Sequence, residues 1–516
     1  MNTRLTIRSE NGSANCIVNA SSSADHVFDV NADYVNISGF TVTGATGNWK
    51  AGIYLGENVD HCTISENNAS DNYAGIYLSS SSNNNLTNNT ANSNNYQGIY
   101  LYSSSNYNTL TNNKAYNNDR GIYLNSSNNN TLKNNTANSN NYYGICLYSS
   151  SNNTLMNNKA HNNNDYGIYL RSSSNNNLTS NTANSNNEYG IRLWSSSNNN
   201  LTGNNASNNA RGIYLSSSSN NNLTSNTANS NTQHGIYLQN SASNNNLTSN
   251  TANSNNDYGI RLYSSSNNNL TSNTASSNAE YGIWLQSSSN NNLTSNNVSG
   301  NKGIGIFLRM SNNNTIANNT IEENTDTGVL LRSFDVPAFS DNNTIANNKI
   351  SNNSNGGICF LSAANNTVRN NTITNNTDYG IGIWIYTGYS THRADNNFIY
   401  NNFFNNTQNA LDYQNNVWNT TPTPGTNIIG GPYLGGNYWS DYTGADNDRD
   451  GLGDTLLPYN STGNITNGGD WHPLVSGPAP PTPSPVPVPE FNAIGLLALI
   501  GILSVVLAMA TLKKRE

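Results

Sequence analysis

The chain has 516 residues, 116 of them Asn; only 10% are charged, the net charge is −8, and no Lys/Arg cluster interrupts the central repeats. This balance excludes a basic nucleic-acid-binding surface, and four dispersed cysteines, Cys16, Cys62, Cys146 and Cys359, exclude a disulfide framework. Such low complexity ordinarily means disorder, unless an apolar period survives inside it.

Residues 1–7 contain no apolar export segment, so the true start is expected upstream or mis-assigned. Residues 5–12, LTIRSENG, already read as the edge of a β-solenoid. From Gly52 a Gly-Ile or Gly-Val start then recurs to Gly380, in steps of 23 residues apart from single steps of 22, 24 and 29. A second apolar column, Ile64, Leu86, Leu110, Leu132 and onward to Val368, keeps the same beat. A fixed period of this size means a solenoid. No segment holds a helical stripe, whereas G-I-Y-L alternates as a short strand does, with Ile and Leu to one side and Tyr to the other. N-L-T and T-A supply two shorter strands. The expected fold is all-β, a right-handed parallel β-helix of coils of about 23 residues rising about 4.8 Å each, with Asn at equivalent corners stacked into ladders. It is expected to occupy residues 1–415.

Period two places the residue two before each Gly, the Gly itself, and the residues two and four after it on one outer face. That face collects Asp165, Tyr169 and Arg171; Glu188, Arg192 and Trp194; Asp257, Arg261 and Tyr263; Glu280, Trp284 and Gln286. Carboxylates one coil apart have the backbone separation of a retaining glycosidase pair. Yet the acidic position recurs at Asp119, Asp326 and Asp378 as part of the repeat, with Arg and open solvent nearby and no pocket to raise a pKa. The expectation is therefore a binding face and not an enzyme. Flat rings suit the apolar faces of sugars, and Arg, Asn and Asp suit hydroxyls. Tyr169, Arg192, Trp194, Arg261, Tyr263, Trp284 and, further along, Trp384 are the candidate carbohydrate contacts. The competing reading is a ring ladder that only stabilises the sheet.

Two loops interrupt the repeat, one around residues 334–338 and one at residues 386–395. They leave the coil after the same strand, which makes Arg332, Asp335, Trp384, His392 and Arg393 candidates for a discrete site. Residues 416–475 read as a C-terminal cap. Within it Asp446, Asp448, Asp450, Gly451 and Asp454 form D-x-D-x-D-G-x-x-D, the start of a calcium loop. Leu457 stands where the bidentate Glu of such a loop belongs, so Asp454 is the expected last carboxylate. Copper is not expected, since His26, His61, His161, His234, His392 and His472 are dispersed and Met is scarce.

Residues 476–490 are a Pro-rich spacer. Residues 494–512 then carry no charge and are followed by Lys513, Lys514 and Arg515, a length that spans a bilayer with the basic end inside. With Pro489-Glu490-Phe491 ahead of it, the tail over residues 491–516 resembles the PEF-CTERM sorting signals of archaeal surface proteins. That resemblance implies an archaeosortase-like processing enzyme as a partner, removal of the helix and a lipid anchor; the alternative is a permanent single-pass helix. Repeated N-L-T sequons, as at Asn177 and Asn200, offer glycosylation sites on an exported chain.

The segment HVFDVNADYVNISGFTVTGA (residues 26–45), the G-I-Y-L coils and the GGNYWSDY block (residues 435–442) together resemble the NosD-type right-handed β-helix family, also labelled periplasmic copper-binding. The resemblance covers residues 5–475. The expected function is that of a cell-surface-anchored envelope or adhesion protein contacting polysaccharide. A secreted polysaccharide lyase or glycoside hydrolase is the alternative.

Overall fold

The computed structural model describes residues 1–333, 339–385 and 393–476, and the period builds a parallel β-solenoid of about 16 turns. One coil explains the rest. Strand Tyr166–Arg171 is followed by strand Asn177–Thr179 and by a single bridging residue, Thr182, each paired in parallel with its counterpart one coil away. Ile168, Leu170, Leu178 and Ala183 point inward and are fully buried. Their equivalents in successive coils merge into one continuous core, so each coil depends on its neighbours for burial. From Asn297–Ser299 onward the bridging line widens into a three-residue strand whose inward residue is Val298, then Ile321, Ile350 and Ile373.

The Asn content follows from the bends. Ser172, Asn175, Ser180 and Ser185 turn the chain at φ of 50–58°, a left-handed conformation that short polar side chains tolerate better than others. Each is followed by a buried polar residue: Ser173, Asn176, Asn181 and Asn186. A turn residue cannot continue the strand ladder, so backbone groups beside it point into the interior without partners. The buried amide supplies them. The backbone N–H of Asn181 donates to Asn204 Oδ1 at 2.9 Å, while its Nδ2 donates to Leu155 O at 2.9 Å and to the same Asn204 Oδ1 at 3.0 Å. This column runs from Asn67 to Asn437, with parallel columns through Asn176 and Asn186. A Ser ladder through Ser173 accompanies them and lapses at Ala242. The ladders lie one residue past the corners where the sequence placed them, inside the coil rather than on it.

The Gly column has a steric cause. A Cβ on Gly190 would stand 2.6 Å from Asn209 Nδ2 and 2.8 Å from both Ala183 O and Ala206 Cβ. The Gly therefore faces the core, not the outer face that strict alternation assigned to it.

The GGNYWSDY block closes the C-terminal end. Asn437 receives the last ladder bond from Asn402, and Trp439 stacks on Phe404 at 4.6 Å with Trp418 beside it. Two buried carboxylates pin this lid. Asp470 accepts from the backbone N–H of Asn437 (2.7 Å) and of His472 (3.0 Å) and from the Trp439 indole (2.8 Å). Asp412 accepts from the Trp418 indole at 3.0 Å.

Candidate functional site

Outside the core, the strands of four to six residues and the residues leading into them carry a second layer made of rings. The residue before each Gly and the residue two after it pack together: Tyr143 stacks on Tyr166 at 5.1 Å, Tyr189 on Tyr214 at 4.8 Å and Tyr258 on Tyr281 at 5.2 Å, while Tyr166 meets Tyr169 edge-on at 5.1 Å. These clusters are separate from the main core. The column before the Gly, with Tyr166, Tyr189, His234, Tyr258 and Tyr281, was missed by the sequence reading. Its signal is the recurrent Y-G dipeptide, whose ring strict period two through the Gly assigns to the inner side.

The candidate contacts divide into two groups. Tyr169, Arg192 and Trp194 come together: the Arg192 guanidinium lies 4.8 Å from the Tyr166 ring, 5.3 Å from Tyr169 and 4.9 Å from Trp194, and it donates to the Tyr166 hydroxyl. Arg261, Tyr263 and Trp284 form the second group, with Arg261 4.4 Å over Trp284 and 3.2 Å from His234 Nε2. Exposure separates members that the sequence treated alike. Trp194 is 38% exposed and Tyr263 half-buried, whereas Tyr169 is 3% exposed beneath Tyr143, Tyr166 and Arg192, and Trp284 8% exposed beneath Tyr258, Tyr281 and Phe307. Trp384 stands apart, edge-on to Tyr379 at 5.3 Å.

Burial also alters the charges. The Asp165 and Asp257 carboxyls are pushed above the usual carboxylate range, first by burial and then by Glu188 and Glu280 one coil on. The expectation of freely solvated carboxylates at these positions is thus corrected. His234, 4% exposed, falls to about 3 through burial and the nearby Arg261 and Arg211, so it is neutral while its Nδ1 lies 3.5 Å from Asp257. The tyrosine hydroxyls of the face, such as Tyr166, Tyr169 and Tyr258, are held protonated by burial. Positive guanidinium groups among neutral phenols, bordered by carboxyls, make a surface suited to a polar, ring-bearing polymer.

In the acidic loop, carboxylate oxygens of Asp446, Asp448 and Asp454 lie within 4.8 Å of one another, the only such metal-donor group of three or more among the described residues. Asp450 lies outside that group and accepts from the Leu452 N–H at 2.8 Å. Gly451 sits at φ +88° and donates to Asp446 Oδ2 at 2.9 Å. The described histidines are engaged separately: His26 stacks on Tyr54, His61 on Tyr34, and His161 accepts from the Asn184 N–H. All four cysteines are free. Of the loop candidates, Arg332 and Trp384 are half-buried on their strands and Arg393 lies 3.9 Å from Asp395. Asp335, His392, the spacer from residue 477 and the tail at residues 491–516 lie outside the described residues. No helix among the described residues is long and apolar enough to cross a membrane.

A three-sided parallel coil with a side-chain ladder core and an aromatic outer layer defines a right-handed β-solenoid. The sequence matches the right-handed β-helix region family over residues 17–182 and 120–275, together half of the chain, and the protein belongs to that family. It also matches the family described as periplasmic copper-binding protein (NosD) over residues 219–335 and 281–444. Similar solved structures include a point mutant of the periplasmic alginate epimerase AlgG, at 16% identity over 65% of this chain and 76% of that one, TM-score 0.40. Another is the Azotobacter vinelandii mannuronan C-5 epimerase AlgE4 A-module, at 18% identity over 59% and 83%, TM-score 0.36. A third is the Dettilon tailspike protein, at 12% over 66% and 60%, TM-score 0.36. No curated protein matches the chain. The expectation that the chain is not an enzyme is withdrawn on this finding, because two of these distant structures are epimerases.

Proposed function

We propose that this protein is a cell-surface β-helix whose outer aromatic face engages polysaccharide. The observation that carries the reading is the ring layer outside the core, with Arg192 and Arg261 set into it. A ladder repeating at the inter-strand spacing of about 4.8 Å offers equivalent contacts to successive units of a linear polymer. Anchoring through the hydrophobic and basic residues 491–516, with archaeosortase-like processing, belongs to the same reading, as does glycosylation at N-L-T sequons. The match to a family described as periplasmic supports an exported location.

Trp194→Ser combined with Tyr263→Ser is expected to weaken binding of an envelope polysaccharide at least tenfold, equivalent to about 1.4 kcal/mol, with little change in melting temperature. Tyr169→Ser, whose ring is covered, should instead lower stability by about 1 kcal/mol through lost cross-strand contacts and leave binding intact. Affinity electrophoresis and thermal unfolding read the two effects; unchanged binding in the double variant rejects the face. A second reading, that the face also modifies the polymer, rests on neutral His234 placed between Asp257 and Arg261. The same incubations, analysed for altered polymer, report on it.

We also propose calcium at Asp446, Asp448 and Asp454, whose hard oxygen donors lie within 4.8 Å of one another and suit that ion, with Asp450 of the same motif turned to the Leu452 N–H. A ligand bound only by the native state raises stability by mass action. Chelation should therefore lower the melting temperature, and Asp448→Ala with Asp454→Ala should remove the response. Identical melting curves with calcium and with chelator overturn the assignment.

A further inference from the structure

We infer that the N-terminal coils hold a discrete pocket for one acidic sugar unit, a pyranose bearing a carboxylate. This rests on the polysaccharide reading and adds a site and a ligand class to it. Along the outer face the residue before each Gly is a ring for much of its length, as at Tyr143, Tyr166 and Tyr189. In the first coils that column reads Ala51, Ala74, Gln97 and Arg120 instead. Where Gln97 and Arg120 stand in that column a cavity of about 430 Å³ opens beside them, within the range of small-molecule sites.

Its inner wall is a column of tyrosine ring edges. Tyr77, Tyr100 and Tyr123 stack at 4.9 and 5.3 Å with interplanar angles of 20° and 4°. Tyr102 and Trp49, 40% and 55% exposed, stand at the rim. Gln97 lines the cavity at 1% exposure, and neither its Nε2 nor its Oε1 has a hydrogen-bond partner. Buried amides are rarely left so, and an orphaned donor and acceptor side by side are the complement of a ring hydroxyl. Arg120 lines the same cavity, with its guanidinium 4.6 Å from the Tyr96 ring and 5.1 Å from Tyr123. Among the described residues no carboxylate forms an ion pair with it. A planar cation without a counter-ion matches a carboxylate, and its presence disfavours a cationic guest for the aromatic walls. The open rings of Trp49 and Tyr102, the amide and the guanidinium thus address the C–H face, a hydroxyl and the acid group of one uronate.

The test is calorimetric titration of the full-length protein with a galacturonate oligomer and with a neutral glucose oligomer of equal length. The acidic oligomer should bind at least tenfold more tightly, and Arg120→Gln should erase that preference. Gln97→Leu removes two unpartnered buried polar atoms, so it should raise the melting temperature by about 2–4 °C while weakening galacturonate binding at least tenfold; a purely structural Gln97 would move only the first. If both oligomers bind equally and neither variant matters, the pocket is refuted and the polysaccharide face stands. If neither oligomer nor any envelope polysaccharide binds, both fall.

Discussion

Asn204→Ala is expected to lower unfolding stability by about 3–5 kcal/mol, although the residue belongs to the commonest type in the chain. Its side chain makes four ladder bonds: Oδ1 accepts from Asn181 N–H and Asn181 Nδ2, and Nδ2 donates to Leu178 O and Asn226 Oδ1 at 2.9 Å each. Each bond is worth about 0.5–1.5 kcal/mol net, and leaving a buried partner unmade costs more. Asn204→Asp should be worse than Ala despite its equal size, because it sets a second acceptor against Leu178 O and Asn226 Oδ1 in a site 1% exposed. The exposed Asn200, changed to Asp, should cost almost nothing. Urea midpoints for the three variants decide the matter, and an Asn204→Asp protein as stable as Asn200→Asp would show that the ladder contributes shape alone.

The second large effect lies in the lid. Asp470 is fully buried, and burial pushes its carboxyl up to about 7 despite three hydrogen bonds that favour the anion. The folded state therefore holds a proton that the unfolded chain, with a carboxyl near 3.9, releases earlier. Stability from this group is fully present below pH 4 and is lost as pH rises from about 4 to about 7, by on the order of 4 kcal/mol. Asp412, raised to about 6 by burial, acts with the same sign over a narrower window. His234 acts oppositely, since its lowered value removes stability as pH falls below the ordinary histidine range. The clean observable is consequently the stability gap between the natural protein and Asp470→Asn. At pH 4 the neutral carboxyl can turn its proton aside and still accept through its hydroxyl oxygen, whereas an amide nitrogen accepts nothing and confronts either the His472 N–H or the donors from Asn437 and Trp439, so the variant should be less stable at pH 4. That gap should shrink between pH 4 and pH 7 and stay level above. A gap independent of pH would mean that Asp470 is ionised throughout.

The solenoid, its coil length and its core columns were legible because they repeat. Ile168, Leu170, Leu178 and Ala183 are recognisable from one coil, and every further coil restates them. The ladders were legible in kind but displaced by one residue, since the sequence shows a run such as Asn175-Asn176 without showing which member bends and which is buried. The candidate site was legible in part. The residues two and four after each Gly do face outward, but Tyr169 and Trp284 are covered while Trp194 is open. The carboxyls judged to lie in open solvent are desolvated enough to shift.

What the sequence determined by itself is everything fixed by short-range chemistry and repetition: strands from alternation, bends from Ser and Asn that accept positive φ, and a family membership carried by those same coils. What only the tertiary structure decided is what depends on neighbours about 23 residues away. The Gly position faces inward, where the Asn and Ala of the next coil leave no room for a Cβ, and the preceding residue lies on the outer face. A ring is hidden or exposed according to the side chains packed around it from adjacent coils, and the cavity at Gln97 lies where Gln97 and Arg120 stand in the column that carries rings further along. Solvent access and pKa are properties of the stack, and a single coil read alone contains neither.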